Sequence, residues 1–355
     1  MMKSGENPLR MDLDHILKHT HDLWENLRGE RIFITGGTGF IGSWLLESLI
    51  WADQKYNLGV EALILTRHPD AFKQKVPRIT SSSSINLYTG DISNFIFPSG
   101  EFKYVIHAAA EPRVRFILKQ QLTTFDTIVE GTRRTLLFAQ QCGAQKFLLT
   151  SSGAIYGQQP SDMPQLSEEF LGAPNCTDPR SAYGEGKRAA ETLCILFSRQ
   201  AGFEVKIARC FTFVGAYLPL DAEFAIGNFI RDGLNGGPIH IDGDGTAYRS
   251  FLYAADMAIW LWTILFLGKP SYPYNVGSEN PISIAQLAQL VADQFEPRPQ
   301  IRISKSPVTG SLPERYVPSI RRAMVELGLH QSVDLVTALQ KTISFLENKQ
   351  SDRYQ

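Results

Sequence analysis

The segment Thr35-Gly36-Gly37-Thr38-Gly39-Phe40-Ile41-Gly42 constrains this chain more than any other. It follows a short apolar run, Arg31–Thr35. It opens a stretch with helical spacing, Phe40–Trp51, in which Leu45, Leu46 and Leu49 point inward. Glycine accepts backbone angles and close approaches that a Cβ forbids. Gly36 permits a tight turn at the strand end, Gly39 lets the backbone approach a pyrophosphate, and Gly42 allows close packing of the helix. The helix N-terminus then turns its N–H groups toward phosphate. Strand, Gly-x-x-Gly-x-x-Gly turn and helix, in that order, predict a dinucleotide cradle built from Gly36, Thr38, Gly39, Phe40, Ile41 and Gly42.

The rest of the chain supplies the sheet such a cradle needs. Apolar runs at Glu61–Thr66, Ile85–Thr89, Lys103–His107, Lys146–Thr150 and Glu204–Arg209 read as strands. Helical patterns fall at about Thr123–Cys142 and Ala182–Ala201. Alternation of this kind predicts an α/β fold with a doubly wound parallel sheet. Beyond about Phe211, Gly and Pro become denser and short strands such as Ile239–Ile241 alternate with helices, which predicts a smaller α+β substrate lobe. The expected organisation is a helical extension over 1–30, a dinucleotide domain over 31–210, a lobe over 211–345 with some segments returning to the first domain, and a tail over 346–355. In the extension, Leu13, Ile16, Leu17, Leu23, Trp24 and Leu27 form an apolar stripe.

Composition narrows the partners. A net charge of -1 provides no basic field, so no nucleic-acid partner is expected. The longest apolar run, Met257–Leu267, is too short to span a bilayer and reads as a buried helix. The four cysteines form no Cys-x-x-Cys pair, and His15, His19 and His21 have no companion ligands, so no metal is expected. Free thiols and a polar N-terminus without a signal-peptide core point to the cytoplasm.

Three further features carry chemistry. An acid ending the second strand would bind the adenosine ribose and select NAD. Here Leu65-Thr66-Arg67 stands instead, and Arg67 suits a 2′-phosphate, which favours NADP over NAD. In Gly90-Asp91-Ile92, Asp91 is placed to meet the adenine. Tyr183 and Lys187 in Tyr183-Gly184-Glu185-Gly186-Lys187 share one helical face, and a neighbouring ammonium favours a phenolate base. Thr150-Ser151-Ser152-Gly153-Ala154-Ile155-Tyr156-Gly157 ends the fifth strand, where sheets of this kind place active sites.

With these motifs in this order, the chain from about Arg31 to Leu329 resembles the extended short-chain dehydrogenase/reductase family, in its NAD(P)-dependent nucleotide-sugar epimerase/dehydratase group. The resemblance implies a Rossmann domain, a C-terminal lobe that binds a sugar nucleotide, and a homodimer paired through helices. It makes Tyr183 the base, Lys187 its partner and a ribose ligand, and Ser152, four before Tyr156, the hydroxyl partner. Asp91, Ile92, Ala108, Ala109 and Ala110 would lie along the dinucleotide. Asn228 in Gly227-Asn228-Phe229-Ile230 matches the asparagine that meets the substrate phosphate. Arg249 in Tyr248-Arg249-Ser250-Phe251-Leu252-Tyr253 matches an arginine on the diphosphate, and Arg315 a further phosphate or ribose ligand. Asn275-Val276-Gly277 matches a structural signature.

The departures choose among reactions. Dehydratases of this family carry Asp-Glu, and UDP-glucuronate decarboxylases Ser-Glu, where this chain has Gly153-Ala154. Small residues there resemble the 4-epimerases, whereas Arg180–Arg188 around Tyr183 resembles the decarboxylases. Ile128 and Thr212 replace two asparagines of the family. Because elimination needs a carboxylate, the first expectation is 4-epimerisation through a transient 4-keto sugar nucleotide. The alternatives are an NADPH-dependent reductase of a 4-keto sugar, and a 4,6-dehydratase or UDP-glucuronate decarboxylase. A non-catalytic dinucleotide sensor is the reading from another class, and the intact Ser152, Tyr183 and Lys187 stand against it.

Overall fold

The computed structural model describes residues 7–109, 120–220 and 224–351. Seven strands form one sheet: β1 (Arg31–Thr35), β2 (Glu61–Thr66), β3 (Ile85–Thr89), β4 (Tyr104–His107), β5 (Lys146–Ser152), β6 (Glu204–Cys210) and β7 (Pro273–Val276). Their order is β7-β6-β5-β4-β1-β2-β3, and every pairing from β3 across to β6 is parallel. The α/β fold expected from the alternation is present. Chain order reverses between β1 and β4, the point at which such sheets open a crevice at their carboxyl ends. β5 and β6 each run further than their apolar patterns predict, because Ser151 pairs with Arg209 and Ser152 with Cys210. The helix after the glycine turn continues to Tyr56, past the predicted Trp51, and ends where Asn57 turns left-handed at φ 50°.

Parallel strands covered on both faces must be apolar throughout. β4 is buried along its whole length, and β1 is buried after Arg31. Beside β1, the rings of Phe33 and Phe138 sit 4.6 Å apart, and Phe95 and Phe102 complete the cluster. Burying each such ring contributes about 2–3 kcal/mol.

The chain divides into two compact units. The first comprises 1–155, 174–210 and 258–274, and the second 156–173, 211–257 and 275–355. The N-terminal extension belongs to the first unit as a helix, Arg10–Thr20, and a 3₁₀ segment, His21–Leu27. Leu13, Ile16, Leu17, Leu23, Trp24 and Leu27 are all buried. Trp24 donates to Thr20 Oγ1 at 3.0 Å and its ring lies 5.1 Å from that of Trp262. Trp262 in turn donates to Ser48 Oγ, at 2.8 Å, on the glycine-turn helix. The apolar run Met257–Leu267 lies in the helix Ala254–Leu267, and no helix among the described residues is long and apolar enough to cross a membrane.

The second unit carries short ladders. Tyr248–Arg249 is flanked by Ile282–Ser283 and Arg315–Tyr316, and Ile239–Ile241 pairs with Ile301–Ile303. At its centre the buried Asn275 amide is satisfied on every side. It accepts from Tyr156 Oη at 2.8 Å and donates to Leu166 O at 2.9 Å and Ser319 O at 3.1 Å.

Candidate active site

The glycine turn is built as a backbone-only surface. Gly36 sits at φ +72°, and a Cβ there would lie 2.4 Å from the Ala108 carbonyl. A Cβ on Gly42 would lie 2.3 Å from Gly36 O and 2.4 Å from Gly37 Cα, so this glycine packs the helix against the turn itself. A Cβ on Gly39 would meet only Gly36 O, at 3.3 Å, leaving the outer side of the turn open. Thr38, Phe40 and Ile41 are half-buried around it. A glycine-rich turn with Gly39 exposed, at a helix N-terminus and beside the sheet's switch point, fits a dinucleotide pyrophosphate. Gly37 was not singled out by its spacing, yet its Cβ would lie 2.6 Å from Ile64 Cγ2 on β2.

Ala108 and Ala109 follow β4 and are half-buried beside the turn, with Ala108 N donating to Thr35 O at 3.0 Å. Ala110 lies outside the described residues. Arg67 and Asp91 face each other, with Nη1 3.9 Å from Oδ2. The Ser93 hydroxyl leads the influences that hold the Asp91 carboxyl below its ordinary value. Ile92 packs against Gly131.

Under the turn lies a polar relay that the motifs did not reveal. His107 is buried, with Nδ1 2.7 Å from Thr35 Oγ1 and Nε2 3.0 Å from Thr132 Oγ1. Thr132 gives its hydroxyl proton to Ile128 O at 2.6 Å, so it accepts from His107 Nε2–H, and Nδ1 accepts from Thr35. Burial first, and the Lys187 ammonium second, push the imidazole down from 6.5 to about 3. The unfolded chain takes up that proton below about 6.5, and the fold does not until about 3. This contribution to stability is therefore complete above 6.5 and is lost as pH falls toward 3, at about 1.4 kcal/mol per pH unit. Denaturant titrations near pH 7 and near pH 5 should show His107→Gln losing about 2 kcal/mol less stability than the parent between the two. Equal losses would contradict a neutral buried imidazole.

Ser152, Tyr183 and Lys187 all belong to the first unit. Tyr183 stands in the first turn of the helix Ala182–Ala201. Lys187, 1% exposed, donates from Nζ to Thr150 O at 2.8 Å, and its Nζ lies 6.0 Å from the Tyr183 ring centroid. Ser152 ends β5, and its Oγ accepts from Ala154 N at 3.1 Å. Gly184 explains part of the Tyr-Gly-Glu-Gly-Lys spelling. A Cβ on Gly184 would lie 2.7 Å from Ala154 O, whereas one on Gly186 would make only ordinary contact with Ile128, at 3.4 Å. The helix thus lies close against the Gly153-Ala154 turn. A cavity of about 550 Å³ opens alongside the same helix, lined by residues including Glu185, Arg188, Glu191, Thr192 and Arg209, and contains none of the three.

The remaining predicted residues lie in the second unit. Asn228, on the helix Ala225–Leu234, accepts from Arg231 Nη1 at 3.1 Å. Arg249 donates to Tyr248 O at 2.8 Å and lies 3.6 Å from Glu314. Arg315 stacks over the Tyr248 ring at 4.6 Å. The register sets Arg315 across from Tyr248 and Tyr316 across from Arg249, so the two arginines leave successive rungs of one ladder. Arg315 Nε and the fully buried Ser250 Oγ find no partner among the described residues. Buried polar atoms without partners cost about 1–3 kcal/mol each, so an oxygen-rich ligand suits this ladder.

The family model described as NAD dependent epimerase/dehydratase matches residues 32–277. UDP-glucuronic acid decarboxylase 1 of Arabidopsis thaliana is 31% identical over 319 residues, covering 90% of this chain and 70% of that protein. UDP-glucuronic acid decarboxylase 1 of Danio rerio is 30% identical over 329 residues, covering 92% and 75%. Among solved structures, UDP-glucuronic acid 4-epimerase of Bacillus cereus, in complex with UDP-glucuronic acid and NAD, superposes with a TM-score of 0.76 at 23% identity, over 90% of this chain and 99% of that one. UDP-glucose 4-epimerase of Thermotoga maritima gives the same TM-score, identity and coverage. At these identities the two structures speak for the fold.

Proposed function

This chain belongs to the NAD dependent epimerase/dehydratase family, and we propose that it oxidises the C4 hydroxyl of UDP-glucuronic acid and lets the resulting β-keto acid lose CO2. The supporting observation is identity of 31% with a UDP-glucuronic acid decarboxylase along 90% of the chain. That breadth outweighs the pair Gly153-Ala154, which favoured 4-epimerisation.

Tyr183 takes the C4 hydroxyl proton, and Ser152 donates a hydrogen bond to the same oxygen. Lys187, anchored on Thr150 O, holds its ammonium beside the phenol ring. A bound nicotinamide supplies the hydride acceptor and donor. Once C4 is a ketone, the C5 carboxylate is β to it. The C5–C6 bond breaks with C6 leaving as CO2, its electron pair forms the C4–C5 enolate with the charge on the C4 oxygen, and C5 then takes a proton from water. No base has to remove a proton from C5, so this step asks less of position 154, where the family's decarboxylases carry Glu and this chain Ala, than a dehydration would. Arg249 and Arg315 hold the diphosphate, and Asn228 contributes a further hydrogen bond.

Incubation with UDP-glucuronic acid and dinucleotide, followed by mass spectrometry, tests this. A nucleotide sugar lighter by CO2 supports it. A product of unchanged mass and inverted C4 supports the second reading, 4-epimerisation, which Gly153-Ala154 favours. A 4-keto-6-deoxy product formed from UDP-glucose, or steady consumption of NADPH with a 4-keto sugar nucleotide, contradicts both.

For the cofactor, Arg67 supports NADP over NAD. Arg67→Ala should weaken NADP⁺ binding about tenfold, the worth of a charge-assisted contact, and leave NAD⁺ within about twofold. Equal effects on both, in a fluorescence titration, would leave NAD as the cofactor. Leu122, Leu137 and Leu196, exposed on the helices Gln121–Gln141 and Ala182–Ala201, support a homodimer. Buried, unpaired Cys142, Cys194 and Cys210 support a reducing, cytoplasmic setting.

A further inference from the structure

Lys187 ties the helix Ala182–Ala201 to the strand that ends at Ser152. Tyr183, Lys187 and Glu191 recur every four residues and form one stripe along that helix. Ser151 on β5 and Arg209 on β6 are register partners and project to the same side of the sheet. Glu191 engages both. Ser151 Oγ donates to Oε1 at 2.5 Å, Arg209 Nε to Oε1 at 3.1 Å, and Arg209 Nη2 to Oε2 at 2.8 Å. The guanidinium and carboxylate are 13% and 12% exposed.

We infer that Glu191 and Arg209 are positioning residues for the reaction: they set the height and rotation of the helix against β5, and so the aim of Tyr183 and Lys187 at the oxygen held by Ser152. The inference rests on the roles proposed above for those three residues. A buried ion pair is a weak source of net stability, because desolvating both charges offsets their attraction, and apolar replacements of similar volume often match it. It supplies direction instead. A two-pronged guanidinium–carboxylate contact fixes both ends in angle as well as distance. The single bond from Lys187 to Thr150 O leaves rotation about itself open. Ser151, immediately before Ser152, carries the alignment to the residue next to the chemistry. A misplacement of about 1 Å costs about a hundredfold in rate.

Two variants of the full-length protein separate aim from mere stability. Glu191→Leu/Arg209→Met removes both charges together, so neither is left buried and unpaired. It should melt within about 4 °C of the parent. Its first-turnover rate should nevertheless fall about 10- to 100-fold, and its dissociation constants for NADPH and for NADH should each rise at least about threefold. Glu191→Gln keeps the shape and the Ser151 bond but removes the carboxylate charge that faces Arg209. It should melt lower than the double variant, yet keep its rate within about fivefold of the parent. That inverse order of stability and rate is the signature of positioning. If rate follows melting temperature across the two, or the double variant matches the parent in rate and in affinity for NADPH and NADH, the proposal is overturned. The NADPH and NADH titrations need no sugar. A parent enzyme inactive on every sugar nucleotide would therefore overturn the proposed reaction, while the titrations still decide this inference.

Discussion

Tyr183→Phe should lower turnover of UDP-glucuronic acid about a thousandfold, the range that a positioned proton acceptor supplies. Phenylalanine keeps the ring, and the ring is what packs against the core cluster of the first unit. Only the oxygen is lost. Dinucleotide affinity should therefore stay within about tenfold, since Lys187, the residue placed on the ribose, is untouched. The thermal midpoint should not move. Rapid-quench product analysis, with dinucleotide binding measured beside it, separates these outcomes. Turnover within about tenfold of the parent would remove Tyr183 from the base role.

Gly36→Ala should have the second largest effect, and by a different route. The backbone there is at φ +72°, and the new methyl would lie 2.4 Å from the carbonyl carbon and oxygen of Ala108. Neither the turn nor β4 can yield cheaply, because Thr35 pairs with His107 in the ladder between β1 and β4. A loss of about 3 kcal/mol in stability is expected from strain and overlap together. Dinucleotide binding should weaken at least about a hundredfold, because any relief moves the loop that faces the phosphates. Gly29→Ala serves as a control. It also has positive φ, +66°, but a Cβ there meets nothing within 4 Å. It should cost about 1 kcal/mol and leave binding alone. Equal binding losses in the two variants would show that the close approach to Ala108 is unimportant.

What could be read from the sequence is what depends on local spacing. The glycine turn announces itself because strand, turn and helix are contiguous, and each glycine answers a local steric demand. Tyr183 and Lys187 are legible because a helix puts residues four apart on one face. The extension's apolar stripe is legible for the same reason. Its partners are not, since Trp24 meets Trp262, a residue far along the chain. The Glu191–Arg209–Ser151 cluster was missed likewise. Its members lie on three elements, and only the register between β5 and β6 brings two of them side by side. The Thr35–His107–Thr132 relay is hidden because a histidine ending an apolar strand carries no spacing signal of its own. The reaction was the hardest part. Two residues, Gly153 and Ala154, pointed to epimerisation, while the residues around Tyr183 resembled the decarboxylases. The removal of a C5 proton is one chemical demand and the loss of CO2 is another, and only the first requires the missing carboxylate.

In the proposed reaction C4 is oxidised and then reduced with the same hydrogen. UDP-glucuronic acid carrying deuterium at C4 tests it most directly. The product should have lost CO2, still carry deuterium at C4, and form more slowly than from the unlabelled sugar. A product whose C4 hydrogen has come from solvent would contradict it.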